Sequence, residues 1–110
     1  MQQTKHQPRA IRIDYEQLRR EVSIAQVLSL VAFRPVSMKG NQLLGPCPVH
    51  KSSSERSRSF SVNTDRDIYR CFGCDSKGNQ LDLAKAVFGL PLYESAIELC
   101  RKLGIEPPEK

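Results

Sequence analysis

Two short pairs of cysteine and histidine residues constrain this chain more than any other feature. Cys47 and His50 form the first pair, Cys71 and Cys74 form the second, and twenty residues separate the pairs. A gap of two residues within a pair lets both side chains reach one ion from a single turn, and zinc prefers four such thiolate and imidazole ligands in a tetrahedron. Because four protein ligands close the coordination sphere, the pattern predicts one structural Zn²⁺ ion. Gly73, inside the second pair, is expected to adopt a positive φ that only glycine takes without strain.

Disulfide bonds or a redox-active pair are the alternatives for these cysteines. Disulfides need an oxidising compartment, and residues 1–10 are polar, unlike the apolar core of a signal peptide. A thioredoxin-type motif begins a helix, whereas Cys71 and Cys74 follow a strand-like run and precede a turn. We therefore favour zinc and a cytoplasmic location. Cys100 lies at helical spacing from neighbouring apolar residues and is expected to be a small buried hydrophobic residue.

The chain has the length and charge of one modestly basic domain, with 110 residues and a formal net charge of +5. This charge is compatible with a polyanionic partner but does not require one. No stretch approaches the ~20 apolar residues that cross a bilayer, so we expect no membrane partner.

Apolar periodicity predicts helices towards both ends of the chain and short strands between them. The predicted helices begin at Asp14, at a Ser23–Gln26 capping box, at Asn79 and near Leu92, and the last two end at Gly89 and Gly104. The predicted strands form one hairpin over residues 36–44 and a second from 60–62 and 68–72, while residues 75–80 have the composition of a turn. We therefore expect an α+β fold, a zinc ribbon whose small antiparallel β-sheet is flanked by N- and C-terminal helices.

Basic and aromatic residues are interleaved around the second hairpin. The candidates for nucleic-acid binding are Lys51, Arg56, Arg58, Arg66, Tyr69 and Arg70. Cations that hold phosphates, beside aromatic rings that stack on bases, bind single strands with little reading of sequence. The alternative is that the aromatic residues pack the small core. We assign Phe60 and Phe72 mainly to the core and leave Tyr69 open between the core and the surface.

Catalytic constellations are absent from the pattern. Asp65 and Asp67 form a D-x-D motif, but a turn is expected there and turns favour Asp in any case. No second acidic cluster completes a magnesium site. His50 is assigned to zinc and His6 lies in a polar tail, so neither histidine is placed to act as a base. We predict no catalytic residue and no independent enzymatic activity.

Three motifs carry a resemblance to a known family. Cys47-Pro48-Val49-His50, the segment from Glu55 to Val62, and Tyr69-Arg70-Cys71-Phe72-Gly73-Cys74 resemble the N-terminal Cys-His-Cys-Cys zinc-binding domain of bacterial DnaG-type DNA primases. That family shows Cys-Pro-Phe-His, Glu-Lys-Thr-Pro-Ser-Phe and Tyr-x-Cys-Phe-Gly-Cys. The resemblance implies a zinc ribbon that contacts single-stranded template DNA during primer synthesis in DNA replication. It places Arg56 at the basic position before the family's Thr-Pro-Ser-Phe.

The chain departs from the family pattern at Val49, in a longer loop after His50, and over residues 75–80. The resemblance extends over residues 14–106, so we expect a disordered basic tail at 1–13, the zinc-binding domain at 14–106 and a short tail at 107–110. A primase polymerase core would need a further domain. The chain is expected to be either a fragment or a free-standing zinc domain.

Two classes of function remain open. In the first, the chain is a nucleic-acid-binding module that serves a primase catalytic core, a helicase or another replication or mobile-element protein. In the second, it is a zinc-ribbon adaptor that binds proteins and not DNA. Basic residues gathered on one sheet face favour the first class, whereas scattered basic residues beside an exposed apolar patch favour the second.

Overall fold

The computed structural model of the protein describes residues 11–50, 54 and 56–110. Within them the elements are α1 (Tyr15–Glu21), α2 (Ile24–Leu30), β1 (Ser37–Lys39), β2 (Gln42–Gly45), β3 (Phe60–Asn63), β4 (Ile68–Cys71), β5 (Lys77–Asn79), α3 (Gln80–Phe88) and α4 (Leu92–Leu103). No helix in this part of the chain is long and apolar enough to cross a membrane. The arrangement confirms the predicted α+β class.

The five strands form one sheet in chain order, β1-β2-β3-β4-β5, and every neighbouring pair is antiparallel. The fifth strand was not expected, because Lys77, Gly78 and Asn79 carry no apolar alternation and have turn composition. Gly78 has a φ of 142°, and a Cβ at this position would collide with the Asp82 carboxylate. Glycine is therefore required where this strand meets α3.

The sheet has two chemically different faces. Directly paired residues of neighbouring strands project to the same face. The inner face carries Phe60, Val62, Tyr69 and Cys71, all buried in one core with the apolar sides of the helices. The outer face carries the alternate residues of each strand, which are exposed or half-buried. Two in-register rows make up this outer face: Ser37, Leu44, Ser61, Arg70 and Lys77, and Lys39, Gln42, Asn63, Ile68 and Asn79.

Side-chain caps fix where the first two helices begin, as predicted. The Asp14 carboxylate accepts a hydrogen bond from the Gln17 backbone N–H at 3.0 Å, and Ser23 and Gln26 form the expected capping box. The Asp67 carboxylate, from the β3–β4 turn, also accepts from the N–H of Ile24 at 2.8 Å. The turn thereby joins the sheet to α2.

The C-terminal helices also begin and end where the sequence predicts. Asn79 caps α3, and Gly89 and Gly104 end α3 and α4 with φ of 69° and 70°. Cys100 is buried, as expected. Four further side chains of these helices are buried: Gln80, Leu83, Ser95 and Leu99. The Gln80 side-chain amide donates to the carbonyls of Arg19 and Val22, both at 2.9 Å, so α3 holds the end of α1.

The ends of the described chain are hydrogen-bonded to each other. Ile13 bridges Glu109, the N–H of Asp14 donates to the carbonyl of Pro108, and the N–H of Lys110 donates to the carbonyl of Arg12, both at 2.8 Å. Ile13 is buried in the core. Residues 12, 13 and 108–110, which lie in the predicted tails, thus take part in backbone pairing within the described fold. The rest of the predicted N-terminal tail lies outside the described residues.

Candidate metal centre and outer sheet face

Sheet register brings the two ligand pairs to one end of the molecule. Gly45, at the end of β2, lies opposite Phe60, and Phe60 lies opposite Cys71, the last residue of β4. The turn after β2 therefore places its ligands beside the turn after β4. Each ligand offers one donor atom, and the four atoms lie within 4.8 Å of one another: Cys47, His50, Cys71 and Cys74.

Distances between the donor atoms fit a tetrahedral zinc ion. The sulfurs of Cys47 and Cys74 are 3.9 Å apart, and Cys71 Sγ lies 3.5 Å from His50 Nδ1. Zinc bonds of about 2.3 Å to sulfur and about 2.0–2.1 Å to nitrogen, at tetrahedral angles, require separations of about 3.8 Å and about 3.5 Å. The donor set matches in number, in type and in spacing.

Backbone N–H groups surround the buried sulfurs. The N–H of Val49 donates to Cys47 Sγ at 3.3 Å, and the N–H groups of Gly73 and Cys74 donate to Cys71 Sγ at 3.3 and 3.4 Å. Burial raises the pKa of Cys71, but these two N–H groups, together with side-chain hydrogen bonds from Cys47 and Cys74, outweigh it and leave the pKa below its ordinary value. Burial raises the pKa of Cys47 to about 12, so zinc binding has to displace its proton.

Gly73 is required for a different reason than its predicted positive φ. Positive φ among the described glycines occurs at positions 40, 78, 89 and 104, and Asp75 takes a φ of 63° in this turn. A Cβ on Gly73 would instead lie 3.1 Å from Cε1 and 3.3 Å from Nε2 of His50. The turn therefore needs glycine so that the imidazole can approach the backbone closely.

Phe72 is exposed, which corrects its assignment to the core. Its side chain is 68% exposed, and the guanidinium carbon of Arg70 lies 5.0 Å from the centre of its ring. Phe72 follows Arg70 by two residues, so the two side chains lie on the same side of the chain. The cross-strand partners of Arg70 are on the outer face. Arg70 also approaches the carboxylate of Asp75 at 3.8 Å. A cation and an aromatic ring are thus stacked beside the metal centre.

Tyr69 is buried, which closes the question left open by the sequence. Its side chain is 4% exposed, its ring centre lies 5.4 Å from that of Phe60, and its hydroxyl is 2.7 Å from Ser76 Oγ. Burial raises its pKa, so the hydroxyl is neutral. A base cannot stack on this ring without opening the core, and Phe72 takes its place as the accessible aromatic residue.

The predicted basic residues lie in three parts of the fold. Arg70 lies on the outer face, Arg66 lies in the turn at the opposite end of the β3–β4 hairpin, and Arg56 and Arg58 are exposed in the loop before β3. Lys51 lies outside the described residues. Other cations occupy the outer face with Arg70, at Lys39 on β1 and Lys77 on β5.

None of the five strands contains an aspartate or a glutamate. The outer face formed by the strands is therefore neutral or cationic along its whole width. Lys77 was missed because its strand was expected to be a turn. Phe72 could have been found from the alternation that pairs it with Arg70.

Comparisons with known proteins agree with this geometry. The family model described as CHC2 zinc finger matches residues 11–110. DNA primase from Geobacillus stearothermophilus is 33% identical over 91 residues, which are 83% of this chain and 14% of that protein. DNA primase from Rickettsia typhi is 33% identical over 95 residues, which are 86% of this chain and 15% of that protein. The crystal structure of the Aquifex aeolicus primase, with its zinc binding and RNA polymerase domains, superposes with a TM-score of 0.68 and 28% identity over 86% of this chain and 22% of that one. The chain spans only about a seventh of the length of these two curated relatives.

Proposed function

The chain belongs to the CHC2 zinc finger family, and we propose that it is the single-stranded-DNA-binding module of a primase system, which contacts template DNA during primer synthesis. It is a zinc ribbon of the primase type, and its Cys-His-Cys-Cys cluster holds one structural zinc ion. Because all four donors come from the protein, the ion organises the fold and supplies no open position for chemistry.

The stack of Arg70 on Phe72 is the observation that carries this proposal. An exposed aromatic ring beside a cation is the arrangement that binds a nucleotide of a single strand, with the ring under the base and the cation on the phosphate. The strands around it carry no carboxylate that would repel the phosphate backbone. The zinc-bound turn on either side of Phe72 holds the ring at a fixed place.

The Asp75 carboxylate pairs with Arg70 at the place where we propose that a phosphate binds. Its ion pair with Arg70 is long, at 3.8 Å, and the two side chains are 55% and 75% exposed. Exposed pairs of this kind contribute roughly 0–1 kcal/mol, so a phosphate can displace the carboxylate at little cost. The guanidinium then remains above the ring while its other side contacts the DNA backbone.

The chemistry of primer synthesis is assigned to a partner. We propose that a primase catalytic core supplies it in the cytoplasm, and that a helicase or another replication protein brings the module to the template. The module captures the strand, and we propose no catalytic role for the module itself.

Fluorescence anisotropy with a labelled single-stranded oligonucleotide tests the proposal at several salt concentrations. Phe72→Ala should weaken binding by about 1–3 kcal/mol, or roughly 5- to 150-fold, and leave the salt dependence unchanged. Arg70→Ala should lower the slope of log affinity against log salt by about 0.7 for one lost phosphate contact.

One variant serves as a matched control. Met38 is as exposed as Phe72, at 68%, but lies on β1, the edge strand far from Phe72, so Met38→Ala should bind like the wild type. If Phe72→Ala binds single strands within twofold of the wild type, the DNA-binding proposal fails. The protein adaptor is then the better candidate, with the exposed apolar residues Val36 and Met38 on the β1 edge as its first surface to test.

A further inference from the structure

An open groove lies beyond the other edge of the sheet, between β5 and α3. Its volume is about 440 Å³, which falls within the range of small-ligand sites. Lys77 and Lys85 belong to its lining, together with Ala86 and Leu90. The hydrogen-bonded hydroxyls of Tyr69 and Ser76 also line it. The groove thus combines cations, an apolar wall and a hydroxyl pair.

The charges of the groove favour an anion. Two carboxylates line it as well, but each is already compensated: Asp82 accepts the N–H of Asn79 at 2.8 Å in the first turn of α3, and Asp75 lies against Arg70. No acidic group within the described residues comes within 4.0 Å of either lysine amino group. Arg70, which lies outside the groove lining, pairs with Asp75, so the two lysines remain available to a ligand.

We propose that this groove binds one nucleotide unit, with its phosphate between Lys77 and Lys85 and its base against Ala86 and Leu90. The inference rests on the proposed function, because the groove continues the path of the strand. Lys77 lies directly opposite Arg70 in the sheet register, and neighbouring strands are about 4.8 Å apart. A strand that contacts Arg70 and Phe72 therefore reaches the groove with its next nucleotide. The Tyr69–Ser76 hydroxyl pair can donate or accept a hydrogen bond at the edge of the base.

The test is a titration of the isotope-labelled 110-residue chain with thymidine 5′-monophosphate, followed by amide chemical shifts. We expect the largest shifts at Ser76, Lys77, Lys85 and Ala86. A Lys77→Ala/Lys85→Ala double variant should bind the nucleotide at least about tenfold more weakly, because two charge-assisted contacts are lost. Lys39→Ala removes the same kind of side chain four strands away and should leave nucleotide affinity within twofold. Unchanged zinc content and unchanged shifts elsewhere show that each variant is folded.

A second variant separates a nucleotide site from an anion site. Leu90→Ser removes apolar area from an exposed position and should weaken binding of the nucleotide but not of inorganic phosphate. If inorganic phosphate binds as tightly as the nucleotide and shifts the same amides, the groove is only an anion site and the proposal is overturned. Largest shifts elsewhere in the chain, or a double variant that binds like the wild type, also overturn it.

Failure of this inference is distinguishable from failure of the proposed function. If oligonucleotides lose affinity on Phe72→Ala but the groove amides do not respond to the mononucleotide, the groove proposal alone is wrong. If the mononucleotide shifts the groove amides but no oligonucleotide binds, the groove proposal stands and the template-binding role is wrong.

Discussion

Cys71 determines more of the site than its role as a ligand suggests. It ends β4, it is fully buried, and its sulfur receives two backbone N–H groups from the turn that follows. Because side chains alternate along a strand, a ligand that points inward also sends Tyr69 inward and leaves Arg70 on the outer face. Of the two residues of this strand that were predicted to bind nucleic acid, only Arg70 therefore lies on the outer face.

Gly73→Ala should weaken zinc binding, because the new Cβ would lie 3.1 Å from Cε1 of His50 and displace the imidazole. We expect zinc affinity to fall about tenfold, because changes to groups that contact a metal ligand typically have effects of this size. Competition with a chromophoric chelator measures the zinc affinity.

Gly40→Ala is the matched control, since Gly40 has a φ of 56° but no atom within 4 Å of the added Cβ. This control should lower the free energy of unfolding by roughly 1 kcal/mol and leave zinc affinity unchanged. Equal zinc affinities for Gly73→Ala and the wild type would contradict the steric role.

The residues of the metal centre were predictable, whereas the direction of the aromatic side chains was not. Spacing alone identifies the four ligands, because chelation by a short turn is a local property. Alternation separates Tyr69 from Arg70, but it does not say which side faces the helices. The buried ligand Cys71 fixes that side, and using it would have placed Tyr69 in the core and Phe72 outside. The requirement at Gly73 depends on His50, twenty-three residues earlier, and no local pattern records it.

At the scale of the elements, helix ends follow local hydrogen bonds. The helix α2 ends in a Schellman arrangement, in which Phe33 N–H donates to the Leu28 carbonyl and Ala32 N–H donates to the Ser29 carbonyl, at 3.2 and 3.4 Å. The residue in the left-handed position of this motif is usually glycine, but here it is Ala32, with a φ of 54°. An alanine in this conformation is strained by about 1–2 kcal/mol.

Ala32→Gly should therefore raise the free energy of unfolding by about 1 kcal/mol, because glycine takes this φ without strain and Ala32 is exposed. Urea unfolding at a fixed excess of zinc measures the change. Ala25→Gly is the control on the same helix: Ala25 is exposed with helical geometry, and its replacement should lower stability by about 0.5 kcal/mol. A loss of stability for Ala32→Gly would show that the left-handed residue is not strained.

Elements with long-range partners are those that the sequence did not predict. The strand β5 has three residues and no apolar alternation, and it exists because β4 offers an open edge for Lys77–Asn79 to pair with. The pairing of residues 12–14 with 108–110 likewise joins segments nearly a hundred residues apart in the chain. Propensity describes neighbours in sequence, so neither pairing has a local signal.

At the scale of the whole molecule, the metal centre joins the loops at one end of three neighbouring strands, β2, β3 and β4. Its first ligand pair lies between β2 and β3, its second follows β4, and two of the four ligands, His50 and Cys74, are exposed. The metal centre therefore connects the strands at one end of the sheet. The pairing of residues 12–14 with 108–110 connects the two ends of the described chain. In a domain of this size, the free energy of zinc binding is largely free energy of folding.

Zinc affinity should therefore rise steeply with pH. Burial raises the pKa of Cys47 to about 12, so this thiol is protonated below pH 8 and each zinc ion that binds releases its proton. The proton competes with the metal at low pH, so affinity increases as pH rises, by about tenfold per unit from this thiol alone and by about a hundredfold from pH 6 to pH 8. Chelator competition at pH 6, 7 and 8 measures zinc affinity, and far-ultraviolet circular dichroism follows folding.

Cys100→Ala should show the same slope, because this buried thiol lies outside the metal cluster and its protonation does not compete with zinc. A pH-independent affinity, or a slope that changes when Cys100 is removed, would show that the cluster does not bind zinc through these thiolates.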